Sequence, residues 1–216
     1  GVWAEANNRD SIFKALKRRE TFATSGPRIA PRFFAGWGLS KTICNETNLA
    51  GAGYRNGVPM GGVLPTPPSE SAKPRFVVSA NADAGVSDKP GHPLQRLQII
   101  KGWVNTDGQF EQSVVDVAGD ANNGAGVDTN TCIAYGEGFA TLCGVWEDSD
   151  FNADQDAVYY ARVIENPSCR WSTRMCLGFD KESRPDACHN TRIPATIQER
   201  AWTAPIWFES SRAGVP

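Results

Sequence analysis

The chain has 216 residues, enough to bury one large core or two small ones. Apolar residues make up 40% and charged residues 21%, which excludes a disordered segment. The formal net charge of −2, with a basic run at Lys17–Arg19 too short to follow a phosphate backbone, excludes nucleic acid as the main partner. No apolar run is long enough to cross a bilayer. The chain starts Gly-Val-Trp without an initiator Met or leader, so it reads as the interior of a longer protein.

Glu5–Glu20 reads as a helix. Asn7 or Asn8 is the expected N-cap, Asp10 lies in the first turn, and Ile12, Phe13 and Leu16 make an apolar stripe. Lys14, Lys17, Arg18 and Arg19 crowd its C-terminal half, where the helix dipole favours cations. Short strands before it (Val2–Ala4) and after it (Thr21–Thr24) predict a β-α-β unit, the pattern of an α/β domain.

From Arg28 onward the texture is short β runs separated by Gly, Pro, Asn and Asp. Expected strands are Ile29–Phe34, Arg75–Asn81, Arg96–Val104, Gln112–Val117, Thr131–Tyr135, Thr141–Trp146, Ala157–Ile164 and Ala204–Phe208. Within Arg75–Asn81, Phe76, Val78 and Ala80 share a face, and Asn105–Gly108 is a turn signal. So many strands without intervening helices predict a mainly β fold, an antiparallel sandwich or jelly roll. Gly51–Pro74 reads as a long surface loop or an arm packed on a neighbour, and Asp116–Asn130 as a second loop.

Six cysteines and two histidines pose a choice between cystine and zinc. No Cys-x-x-Cys occurs, so disulfides and an oxidising compartment (periplasm, cell surface or medium) are expected. Cys132 and Cys143 flank a turn and are placed to pair across a hairpin. Among Cys169, Cys176 and Cys188 one local bridge is expected, leaving the third for Cys44.

Several stretches match a known pattern in order: GVWAE, RRETFATSGPRI, RFFAGW, PMGG, LQRLQIIKGW, DSDFNADQDAVYYARVIENPSCRWST and IQERAWTAPIW. Together they resemble domain-of-unknown-function family 3604, a large bacterial family, over nearly the whole chain. Ala6 and Asn8 depart from it, since an acid and a Thr are usual there. The resemblance implies an exported protein whose N-terminal part is similar to the polymerase-and-histidinol-phosphatase (PHP) class of metal-dependent phosphoesterase barrels. On that footing residues 1–28 are the last β-α-β turn of the barrel and residues 29–216 a disulfide-stapled β-sandwich. The barrel is the implied partner and carries the divalent metal, with no cofactor in this segment. A homo-oligomer stays open.

The residues suggest four local chemistries, each with a structural counterpart. His92 and His189 are far apart in sequence and read as unrelated rather than as metal ligands. Arg19 with Thr24, Ser25 and Arg28 forms either an oxyanion or phosphate cradle at the end of a barrel strand, or a plain turn. Asp148, Asp150, Asn152 and Asp154 place oxygens at alternate positions, fitting either calcium or a solvated acidic loop; the EF-hand pattern itself fails at Ala153 and Tyr159. Arg170 and Trp171, with Glu199-Arg200-Ala201-Trp202, form either a sugar platform or a buried ion pair capped by indoles. No Ser or Cys has a His in a triad-like context, so no catalytic residue is assigned.

Overall fold

The computed structural model describes residues 1–210. It is mainly β, and every pair of strands in its sheets is antiparallel. Helix α1 (Arg9–Lys17) is followed by β1 (Phe22–Thr24) and β2 (Ala30–Gly36). Next come α2 (Leu49–Asn56), β3 (Val58–Pro59) and β4 (Arg75–Asn81). A long hairpin follows, β5 (Leu94–Val104) and β6 (Phe110–Gly119), turned at the Asn105–Gly108 signal where Gly108 N–H reaches Asn105 O. The chain continues through β7 (Thr141–Glu147), β8 (Ala157–Glu165), α3 (Trp171–Leu177), β9 (Arg200–Thr203) and β10 (Ile206–Phe208).

Two sheets face each other. The larger runs β1-β9-β8-β5-β6, with β10 also pairing β8; the smaller runs β7-β4-β2-β3. Alternation decides what each strand buries. Phe33, Phe76, Ala80, Leu97, Ile99, Tyr159, Val163 and Ile206 enter the shared core, and Phe76 packs 4.3 Å from Tyr159 between ring centroids. Phe34 and Val77 point the other way, into a second cluster with Leu39, Ile43 and Ala52. That cluster lies under α2, so Gly51–Pro74 begins as helix up to Asn56 and strand at Val58–Pro59, and only its later part is irregular.

The N-terminal segment departs from the β-α-β expectation. Asn8 caps α1 through its side chain to Ser11 N–H, as the sequence predicts, but the helix ends early because Arg19 turns to a positive φ of 60°. Val2 then bridges Thr21 in an antiparallel sense, and β1 pairs β9. Of α1 only Ala15 is buried; Phe13 is 65% and Leu16 52% exposed.

The cystines differ from two of the expected pairings. Cys176 joins Cys188, the anticipated local bridge, but Cys44 joins Cys143 and Cys132 joins Cys169. The hairpin pairing of Cys132 with Cys143 fails for a visible reason. The Asp128 carboxylate captures Asn130 N–H and the Thr131 hydroxyl, and Asp128 O accepts Cys132 N–H. The expected Thr131–Tyr135 strand shrinks to Ala134–Tyr135, paired with Val127 and Gly126, and Cys132 is turned away from β7. Cys143, between inward-facing Leu142 and Gly144 on β7, packs against the second cluster where Cys44 waits.

Candidate functional site

Of the residues singled out from sequence, Thr24, Ser25 and Arg28 share one turn at the edge of the larger sheet, while Arg19 and the others lie apart from it. Arg19 leaves α1 and donates from Nε to Gly61 O (3.0 Å). Gly61 has a φ of +84°, and a Cβ there would lie 2.2 Å from Arg19 O, so only glycine admits this approach. Thr24 closes β1 opposite Ala201. The Ser25 hydroxyl donates to the Glu199 carboxylate and accepts from Arg200 N–H at 2.8 Å. Arg28 N–H donates to Asp83 Oδ2 at 2.7 Å, with the Arg28 guanidinium 3.7 Å from the same oxygen. The donors of this turn are thus directed at two carboxylates of the chain itself.

Beside that turn lies a group the sequence reading did not name. Glu165 ends β8, is 1% exposed, and has one carboxyl oxygen without a hydrogen-bond partner among the described residues. Burial, and then the Glu199 and Asp83 carboxylates, push its carboxyl up to about 8, so it keeps its proton at neutral pH. Its backbone is held on both sides: Glu165 N–H donates to Glu199 O (3.0 Å), and Gln198 Nε2 donates to Glu165 O (3.0 Å). His92 is pushed below its ordinary value, first by burial and then by Arg174, with Glu199 opposing. A protonated acid, a neutral imidazole and the Glu199 and Asp83 carboxylates share a polar rim, the kind of arrangement that functional sites share with structural networks. The signal for Glu165 was present as an acid closing the apolar run Ala157–Ile164.

The remaining candidates fall elsewhere. Arg170 precedes α3 and its N–H donates to Ala195 O (3.0 Å), while Trp171 is 73% exposed. The expected pairing of Glu199 with Arg170 or Arg200 does not form among the described residues; Glu199 takes Ser25, and Arg200 Nε donates to Gln198 O (3.2 Å).

Of the calcium candidates, Asp148 is buried. Asp148 turns inward, 2.6 Å from Lys101 Nζ and 2.7 Å from the Tyr159 hydroxyl that donates to it, so a cation of the chain already occupies it. Asn152 spends Oδ1 on Asp154 N–H, and Asp150 faces Asp148 through its N–H. No group of three or more His, Cys, Asp or Glu side chains is arranged to hold a metal ion among the described residues.

Two clefts lie elsewhere on the sandwich. One, of about 560 Å³, lies between α1 and the smaller sheet, lined by Trp3, Glu5, Arg18, Arg32 and Tyr54. At its base the buried Glu20 accepts from Arg18 Nε (3.0 Å) and Tyr54, and Arg32 stacks 3.5 Å from the Trp3 ring centroid. The other, of about 350 Å³, opens on the larger sheet beside Trp207 and Phe110.

These features define a cystine-bonded antiparallel β-sandwich with a polar rim at one sheet end. All six cysteines are bridged, which fits an oxidising, non-cytoplasmic setting, and no helix among the described residues is long and apolar enough to cross a membrane. The family model described as "Protein of unknown function (DUF3604)" matches residues 1–210, and the chain belongs to that family. No curated protein and no solved structure matches it.

Proposed function

We propose that this chain is the β-domain of a periplasmic or secreted PHP-like metal-dependent hydrolase of phosphoesters or related esters. In this reading it braces the catalytic barrel and borders its substrate, while the barrel brings the divalent metal. The observation that carries the reading is the outward apolar face of α1. Phe13 and Leu16 stand exposed on a helix hung at the sheet edge that also bears the Thr24–Arg28 turn. Paired exposed apolar side chains of this size mark contact with another body. A barrel docked there places Ser25, Arg28 and the Glu165 rim beside its mouth, as framing groups.

The test compares the purified 216-residue chain with a longer protein that also carries the barrel, measuring bound divalent metal and hydrolysis of chromogenic phosphate and carboxylate esters. Metal and turnover are expected only with the barrel. Phe13→Asp with Leu16→Asp is expected to loosen barrel docking at least tenfold while leaving the melting temperature of the β-domain nearly unchanged. Equal turnover by the 216-residue chain alone overturns the reading. A second reading, an extracellular binding module, is favoured by the aromatic groove on the larger sheet.

A further inference from the structure

The outer face of the larger sheet carries a groove whose chemistry is one-sided. Strand register sets its floor: Gly102 lies between Val158 on β8 and Gln112 on β6, and Val158 is itself opposite Trp207 on β10. A Cβ at Gly102 would stand 3.2 Å from Val158 Cγ1, so the missing side chain opens the depression. Trp207 rises on one side and Phe110 on the other, three strand spacings across and two residues along, roughly 16 Å apart at the backbone. Phe110 is 90% exposed and Trp207 40%, a large outlay of aromatic surface in contact with water.

The groove's polar side chains are acids. Asp156 and Glu209 line it, Glu111 reaches it only through its backbone because its side chain shares the inward face of Trp103, and no Lys, Arg or His lines it. Asp156 gives one oxygen to Ser210 N–H (2.6 Å) and retains the other. Glu209 has no hydrogen-bond or ion-pair partner among the described residues. A neutral sugar needs donors as well as acceptors around its hydroxyls, and this lining offers almost only acceptors. Aromatic faces with uncompensated carboxylates suit a ligand that is cationic and apolar at once. At about 350 Å³ the groove has the size of a small ligand rather than a helix or strand.

We propose that this groove binds a small quaternary-ammonium solute, with the cation against Trp207 and Phe110 and its charge balanced by Asp156 and Glu209. The site stands apart from α1 and does not rest on the hydrolase reading.

The test uses the 216-residue chain at neutral pH and low salt, titrated with choline by calorimetry while the indole N–H signal of Trp207 is followed by NMR. Choline is expected to shift that signal saturably. The uncharged isostere 3,3-dimethylbutanol is expected to bind about tenfold more weakly, since it keeps the shape and loses the charge. Phe110→Ala, at a position that packs on almost nothing, is expected to weaken choline about threefold without lowering the melting temperature, and Glu209→Gln to do likewise. Equal binding of choline and its isostere overturns the proposal by reducing the groove to an apolar slot. Silence toward choline also overturns it, whether or not a neutral disaccharide shifts Trp207, as does a dimer through this face that choline leaves intact. Choline affinity unmoved by both variants places the ligand elsewhere and is equally fatal.

Discussion

The two sheets treat their outer faces differently. On the smaller sheet Phe34 and Val77 are roofed by α2 and the Ile43–Asn45 turn, and Cys44–Cys143 pins that roof to β7. On the larger sheet Val104, Phe110, Val114 and Trp207 look outward with no such cover. Both faces are apolar, so hydrophobicity alone does not separate them. What separates them is a helix and a disulfide added on one side only. The difference teaches where apolar surface stabilises this chain and where it is left to meet another molecule.

The largest effect expected is therefore an asymmetry between two phenylalanines. Phe34 is buried and packs edge-on to Tyr54 at 5.0 Å, so Phe34→Ala is expected to cost about 3–5 kcal/mol in urea unfolding. Phe110→Ala on the open face is expected to change stability by no more than about 0.5 kcal/mol. Equal costs would mean that the larger sheet's outer face is roofed in solution.

The cystine over the roofed face comes next. Cys44 and Cys143 are 99 residues apart in sequence, against 12 for Cys176 and Cys188. Replacing the first pair with serine is expected to cost about 2–4 kcal/mol, and the second pair about 1–2 kcal/mol less, because the longer loop restricts the unfolded chain more. The reverse order, read from melting curves of the two double variants, would tie stability to the α3 region rather than to the roof.

How much of this was legible in sequence follows from the range of the forces involved. Strands such as Arg75–Asn81 and Ala157–Glu165 announce themselves, because alternation and β-branching act within a few residues. The Asn8 cap and the Asn105–Gly108 turn are equally local. The outward face of α1 was misleading, since an apolar stripe predicts burial without saying against what. Cystine pairing depends on which sheet face a residue occupies, and Cys132 was turned by a side-chain bond from Asp128 that composition does not reveal. Asp148 looked like one oxygen among several in an acidic loop. Only the approach of Lys101 from β5, distant in sequence, makes it the buried anion of the core. Glu165 escaped notice for the same reason: its surroundings, Glu199 and Asp83, come from segments on either side of it in the chain.

Glu165 supplies the smallest expected effect and the sharpest test of the open sheet's polar end. Its carboxyl is raised to about 8 in the fold against an ordinary 4.5, so the native state keeps a proton that the unfolded chain releases. Its contribution to stability is then fully present below about pH 4.5, declines as pH rises, and is lost once pH passes about 8. His92 is shifted downward, so its own contribution falls away on the acid side of its ordinary value of 6.5 and leaves the alkaline limb to Glu165. Between about pH 7 and 8 the wild-type chain is expected to lose on the order of 1 kcal/mol. Glu165→Gln keeps the shape without the titration and is expected to flatten that limb, ending about 1–3 kcal/mol more stable than wild type at about pH 9. Denaturant unfolding across this range decides it: a wild-type limb as flat as the variant's would mean that Glu165 is ionised in the fold, with solvent or a cation reaching its unpartnered oxygen.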